Sequence, residues 1–161
     1  MSLAPRLKNY LDEAGIAYDL QEHRETSSSE STADASHIPG DSLAKGVVVK
    51  GREGYLLVVL PASRNVELNA LADWLGQRVE LAREDEITVL FPDCALGAVP
   101  PVGAAYGLKT AIDENLDAQK EVYLEGGDHR TLVRLAAAQF RELTHAVPHQ
   151  RFSTRLRKGP G

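Results

Sequence analysis

Apolar positions recur along this chain with two periods, and the periods divide it into short elements. Leu3, Leu7, Tyr10, Leu11 and Ala14 fall at helical spacing, with Gly15 as a stop. Tyr18, Leu20 and Glu22 begin a brief alternating strand. A polar stretch from Glu25 to Thr32 reads as a loop leading into a short helix over Thr32–Ile38, closed by Pro39-Gly40. Residues 43–60 change character: Val47-Val48-Val49 and Tyr55 to Leu60 are apolar at consecutive positions around a Gly51-Arg52-Glu53-Gly54 turn. That pattern predicts a hairpin buried on both faces. Val66, Leu68, Leu71, Trp74 and Leu75 form the next helical stripe, with Asn65 as its cap and Gly76 as its stop. Val79–Ala82 predicts a short strand, and Glu84–Leu90 a helical turn ended near Pro92. Residues 97–103 form a loop, and Tyr106–Ile112 and Val122–Leu124 form strands. Asp128 then caps a final helix with Leu132, Leu135, Ala136, Phe140 and Leu143 on its apolar side. Helices and strands interleave without a regular βαβ rhythm, which predicts a mixed sheet in a single α/β (mixed α+β) domain rather than a doubly wound one.

Composition narrows the class. The 161 residues are 43% apolar and 25% charged, ordinary for one globular domain. No apolar run approaches the ~20 residues of a membrane span, and the start carries no signal-peptide block, so a cytoplasmic protein is expected. Cys94 is the single cysteine, which excludes an intramolecular disulfide and a cysteine-based zinc site. The net charge is −5, but Arg151, Arg155, Arg157 and Lys158 crowd the last eleven positions, so residues 1–150 sum to −9. A body this acidic is no general nucleic-acid binder. RNA contact would need a local patch, with Lys50, Arg52 and Arg64 beside the hairpin as candidates. The basic segment 151–161 is expected to be a flexible tail.

Three features carry candidate chemistry. Leu43-Ala44-Lys45 runs directly into the valine strand, so Lys45 has an anchored base and a reachable ammonium; a lysine snorkelling at a strand end gives the same pattern. Gly97-Ala98-Val99-Pro100-Pro101-Val102-Gly103 is a loop stiffened by two prolines, able to present backbone groups to an ester carbonyl and a water, or serving as a tight connection only. Gly126-Gly127-Asp128-His129 places His129 in the first turn of the expected helix, either lining a cleft or on the surface. Other chemistries lack their signatures: no His-Glu-x-x-His, no Gly-x-Ser-x-Gly elbow and no Walker loop. Cys94 has no evident base, Ser27–Ser29 read as loop residues, and no cofactor is called for.

Taken in order, Leu-Ala-Lys before a valine strand, Leu-Pro-Ala before a helix ending Trp-Leu-Gly, Gly-x-x-x-Pro-x-Gly and Gly-Leu-x-x-x-x-Asp resemble the YbaK-like family, the editing domain associated with prolyl-tRNA synthetase. The resemblance runs from about His23 to about Leu143. It implies a curled, mixed six- or seven-stranded sheet or barrel flanked by helices, with residues 1–150 as the domain. It also implies hydrolysis of the ester joining a wrong amino acid to the 3′ end of a tRNA, most often the tRNA for proline. Lys45 matches the family's essential lysine, and Gly97, Pro101 and Gly103 match its loop. Asp113 and His129 match later substrate-binding positions. The implied partners are the acceptor end of aminoacyl-tRNA and prolyl-tRNA synthetase, with no DNA and no membrane. One departure stands out: many members carry a polar residue after the lysine, often asparagine, where this chain has Gly46. That leaves a non-catalytic module binding aminoacyl-tRNA, a synthetase or a small ligand as the alternative to a deacylase.

Overall fold

The computed structural model describes residues 3–26 and 28–156. In chain order the elements are α1 (Pro5–Glu13), β1 (Asp19–Glu22), α2 (Ser29–Ser36), β2 (Leu43–Gly51), β3 (Gly54–Pro61), β4 (Arg64–Val66), α3 (Leu68–Leu75), β5 (Glu80–Leu81), α4 (Glu84–Leu90), β6 (Lys109–Asp113), β7 (Glu121–Glu125), β8 (Thr131–Ala136), α5 (Ala137–Thr144), β9 (His149–Gln150) and β10 (Ser153–Arg155). Short 3-10 turns cover Gly40–Ser42, Gly103–Tyr106 and Glu114–Ala118. Seven strands follow the path β1-β8-β7-β2-β3-β6-β9, and β5 adds to β2 as an eighth; β4 and β10 pair separately. The sheet is mixed: β2–β7, β3–β6 and β6–β9 are parallel and the other pairs antiparallel.

The hairpin β2–β3 is the centre of this sheet, and it is buried on both faces as its composition requires. Ala44, Val48, Leu57 and Val59 enter a core closed by Leu7 and Leu11 of α1 and Phe140 of α5. Val49, Val58 and Leu60 enter a second core with Leu71 of α3 and Phe152. Each fully buried aliphatic side chain contributes roughly 1.5–3 kcal/mol by leaving water, so the hairpin is held from both sides.

Three expectations are corrected. Asp128 does not cap the final helix, which begins only at Ala137 and carries Phe140 and Leu143: Asp128 Oδ1 accepts from the N–H groups of Arg130 (2.8 Å) and Thr131 (2.7 Å), a turn that reverses the chain into β8. β8 pairs with both β7 and β1. Leu132 enters one buried cluster and Val133 and Leu135 another, so the adjacent apolar pair Leu132-Val133 interrupts an alternation that Arg134 and Leu135 otherwise keep. Asn65 does not cap α3; it lies in β4 opposite Thr154, and α3 begins at Leu68. The segment from residue 151 is no free tail as far as Leu156. Phe152 is 1% exposed and stacks on Trp74, its N–H reaches Asp113 Oδ2 at 3.1 Å, and Glu67 N–H reaches its carbonyl at 2.6 Å. Ser27 and residues 157–161, with Arg157 and Lys158, lie outside the described residues.

Candidate active site

β2 is paired along its whole length by β3, but its other edge is shared. β7 covers Leu43–Ala44 and β5 covers Val49–Lys50, so residues 45–48 lie at a break between two neighbours. Val48 C=O accepts from Ala82 N–H on this edge at 3.0 Å. Backbone groups of alternate residues point to the same edge of a strand, so the N–H and C=O of Gly46 face the break.

The loop 94–103 fills the approach to it. A Cβ on Gly46 would stand 3.0 Å from Leu57 Cδ1, 3.2 Å from Val99 Cγ1 and 3.5 Å from Pro101 Cα. Glycine at position 46 therefore allows the loop to sit against the strand, which gives this departure from the asparagine pattern a packing cause. Pro100, Pro101 and Val102 are buried and anchor the loop, while Gly97 takes φ +78° at its exposed tip. Ala95 N–H donates to Gly127 C=O at 2.8 Å, which ties the loop to the turn after β7.

A cavity of about 50 Å³ opens at the break, lined by Lys45, Gly46, Gly97, Val99, Glu125 and His129, with Ser28 and Thr32 of the α2 segment on one wall. Lys45 is half-buried on the face of β2 opposite to Gly46. His129 has φ +61°, uncommon outside glycine, and its Nε2 lies 2.6 Å from Leu96 C=O. The α2 wall is tied to the same turn through Thr26 N–H and His129 C=O at 3.3 Å, and the hydroxyls of Thr26 and Thr32 are bonded to each other at 2.5 Å. Lys45 and the Gly97 loop, far apart in sequence, thus meet at one cavity with His129.

Not every residue singled out in the sequence reaches it. Pro101 backs Gly46 but does not line the cavity. Gly103 is buried ahead of β6, where an added Cβ would fall 2.0 Å from Thr110 Oγ1, so its smallness serves packing. Asp113 is fully buried away from the cavity; its Oδ1 accepts from Asn115 N–H at 3.0 Å and its Oδ2 from Phe152 N–H. Cys94 is no nucleophile: burial pushes its thiol up to about 12, and it lies 3.3 Å from Tyr106 Oη. Of the proposed RNA patch, Lys50 is paired with Glu86 at 3.1 Å and Arg64 donates to Ser153 Oγ at 2.8 Å.

Glu125 joins the site although no sequence motif singled it out. It ends β7, and its side chain is 15% exposed. Its Oε2 accepts from the N–H groups of Gly126 (2.7 Å) and Gly127 (3.3 Å), and its Oε1 stands 3.7 Å from His129 Nδ1. Burial raises its carboxyl above the usual range, against the pull of the two N–H groups and His129. The Glu-x-x-x-His spacing around the Gly-Gly turn is the available signal. Among the described residues, no group of three or more His, Cys, Asp or Glu could hold a metal ion, and no helix is long and apolar enough to cross a membrane.

Residues 23–143 match the pattern of the aminoacyl-tRNA editing domain family. A proline–tRNA ligase from Thermosipho africanus (strain TCF52B) is 32% identical over 76 residues, 47% of this chain and 13% of the ligase, so the match spans about an eighth of that enzyme. The crystal structure of a candidate trans-editing enzyme for prolyl-tRNA synthetase superposes with a TM-score of 0.81 at 25% identity, covering 94% of this chain and 96% of the other. That of a hypothetical protein superposes equally well, at 0.81 and 24% identity, over 92% of this chain and 99% of that one, and shares the fold.

Proposed function

Because this chain belongs to the aminoacyl-tRNA editing domain family, we propose that it is a trans-editing deacylase. It hydrolyses the ester between a small wrong amino acid and the 3′ end of a tRNA, with the tRNA for proline as the first candidate. The observation that carries this reading is the meeting of Lys45, the Gly97–Val99 backbone and His129 at one break in the sheet edge. The choice of tRNA rests on the likeness to a proline–tRNA ligase and to the candidate trans-editing enzyme.

An aminoacyl ester is already activated, so orientation and charge stabilisation can supply much of the catalysis. Lys45 brings a positive charge to the cavity for a phosphate or carbonyl oxygen of the substrate. The edge groups of Gly46 and the fixed backbone of the 97–99 loop orient the acyl group. The cavity at the break is small, about 50 Å³, which favours a small acyl side chain.

The test is a deacylation panel: tRNA for proline charged with alanine, serine, cysteine or proline, incubated with the purified protein. The reading predicts hydrolysis of the alanyl ester and sparing of the prolyl ester. Binding without hydrolysis of any member would instead establish the non-catalytic module.

A further inference from the structure

The cavity holds two proton-accepting atoms side by side, and their pairing supplies the base that no sequence motif provides. A carbonyl oxygen only accepts hydrogen bonds, so the 2.6 Å contact with Leu96 C=O places a proton on His129 Nε2. In the neutral ring Nδ1 is then an acceptor, and it faces Glu125 Oε1 at 3.7 Å. Oε2 of the same carboxylate is occupied by the Gly126 and Gly127 N–H groups, so the carboxylate cannot rotate away without losing both. The Nε2 contact with Leu96 C=O holds the ring in this position.

We propose that Glu125 Oε1 and His129 Nδ1 together hold the hydrolytic water and that Glu125 accepts its proton. This rests on the deacylase reading above. A water oxygen at hydrogen-bond distance from both atoms gives one O–H to each, because two acceptors 3.7 Å apart subtend an angle a water can span. Its lone pairs then face the cavity that Lys45 and the Gly97 loop line. On attack, a bond forms from the water oxygen to the ester carbonyl carbon, and the O–H bond toward Glu125 breaks with its proton passing to Oε1. Collapse breaks the bond from that carbon to the ribose oxygen, which takes the proton from Glu125. The products are the free amino acid and a free ribose hydroxyl. His129 acts as a positioning residue throughout.

Among the described residues, the other titratable or charged groups facing this pair are Lys45 on β2, Asp128 in the same turn and the Cys94 thiol of the neighbouring loop. Burial among them raises the Glu125 carboxyl and improves it as a base. A purely structural Glu125, serving only to accept from the two glycine N–H groups, is the competing role. Glutamine keeps a carbonyl oxygen for those bonds and separates the two.

The experiment compares wild type, Glu125→Gln and Glu125→Asp on alanyl-tRNA for proline across pH 4–9, with thermal melts of each. The proposal predicts that Glu125→Gln loses roughly 10²- to 10⁴-fold in kcat, with KM within a few-fold and the acid limb of the rate profile abolished. Glu125→Asp regains that limb and part of the rate. A wild-type rate in a folded Glu125→Gln protein overturns the proposal and leaves the deacylase reading intact. A wild type inactive on every charged tRNA overturns both. Nitrogen-15 spectra of the wild-type imidazole give a reading that needs no variant: a proton on Nε2 of His129 is expected, and a neutral ring carrying it on Nδ1 overturns the assignment.

Discussion

Substituting Gly46 by alanine tests whether the loop is seated on the strand. The added methyl would stand 3.0 Å from Leu57 Cδ1 and 3.2 Å from Val99 Cγ1, both tighter than ordinary van der Waals contact. Leu57 is fully buried in the central strand, so it cannot yield without disturbing the core. Val99 is half-buried at the open side of the loop, so the loop must move by a few tenths of an ångström, with Pro100 and Pro101 resisting. Overpacking of this kind costs about 1–3 kcal/mol. For a domain of this size each kcal/mol lowers Tm by roughly 2–4 °C, so a fall of about 2–12 °C is expected. Displacement of the 97–99 backbone from the reacting ester should also lower kcat, by up to about 10²-fold for a shift approaching 1 Å. Differential scanning calorimetry and single-turnover deacylation read the two effects. An alanine variant with wild-type Tm and wild-type rate would refute the proposed seating of the loop.

Three other outcomes follow from the same contacts. Phe152→Ala empties a site 1% exposed against Trp74; a cost of about 3–5 kcal/mol and a Tm fall of roughly 6–20 °C are expected in thermal melts, and a change under about 1 °C would return the segment to a free tail. Glu86 accepts from Tyr55 Oη, Arg83 N–H and Lys50 Nζ, which hold its carboxyl down to about 2. Its folded value lies below the unfolded one of ~4.3, so its contribution is complete above that pH and is lost as pH falls toward 2; the Tm gap between wild type and Glu86→Gln should therefore close on acidification. Cys94, raised to about 12, should react with a disulfide reagent at pH 8 more than about 100-fold slower than a free cysteine, and rapid labelling of the native protein would contradict its burial.

What could be read from the sequence was what local pattern encodes. The β2–β3 hairpin announces itself through consecutive valines and leucines around a Gly-bounded turn, and α4 falls on Glu84–Leu90 as its pattern requires. Lys45 and the Gly97 loop were legible as separate signals, and the structure supplies their meeting. β8 reads as helix from the sequence because Leu132 and Leu135 stand in spacing with Phe140 and Leu143 of the helix α5 that follows directly, so the two elements share one apparent stripe. Phe152 was hidden among arginines, and its partner Trp74 lies on a distant helix. Asp113 and Gly103 occupy the expected motif positions, yet tertiary packing gives both a structural role. Asp113 accepts from the Phe152 backbone, and Gly103 clears space for Thr110. Glu125 escaped notice because a carboxylate at a strand end ordinarily faces water, and only the Gly-Gly turn folds it inward beside His129.

The central claim is that Lys45 at the sheet break serves chemistry rather than stability. The most direct measurement is deacylation of alanyl-tRNA for proline by wild type and Lys45→Ala, alongside their melting curves. The account predicts hydrolysis by the wild type, its loss in Lys45→Ala and a nearly unchanged Tm, because this half-buried side chain lines a cavity rather than filling a core. Undiminished hydrolysis by Lys45→Ala, or a variant that unfolds, would contradict it.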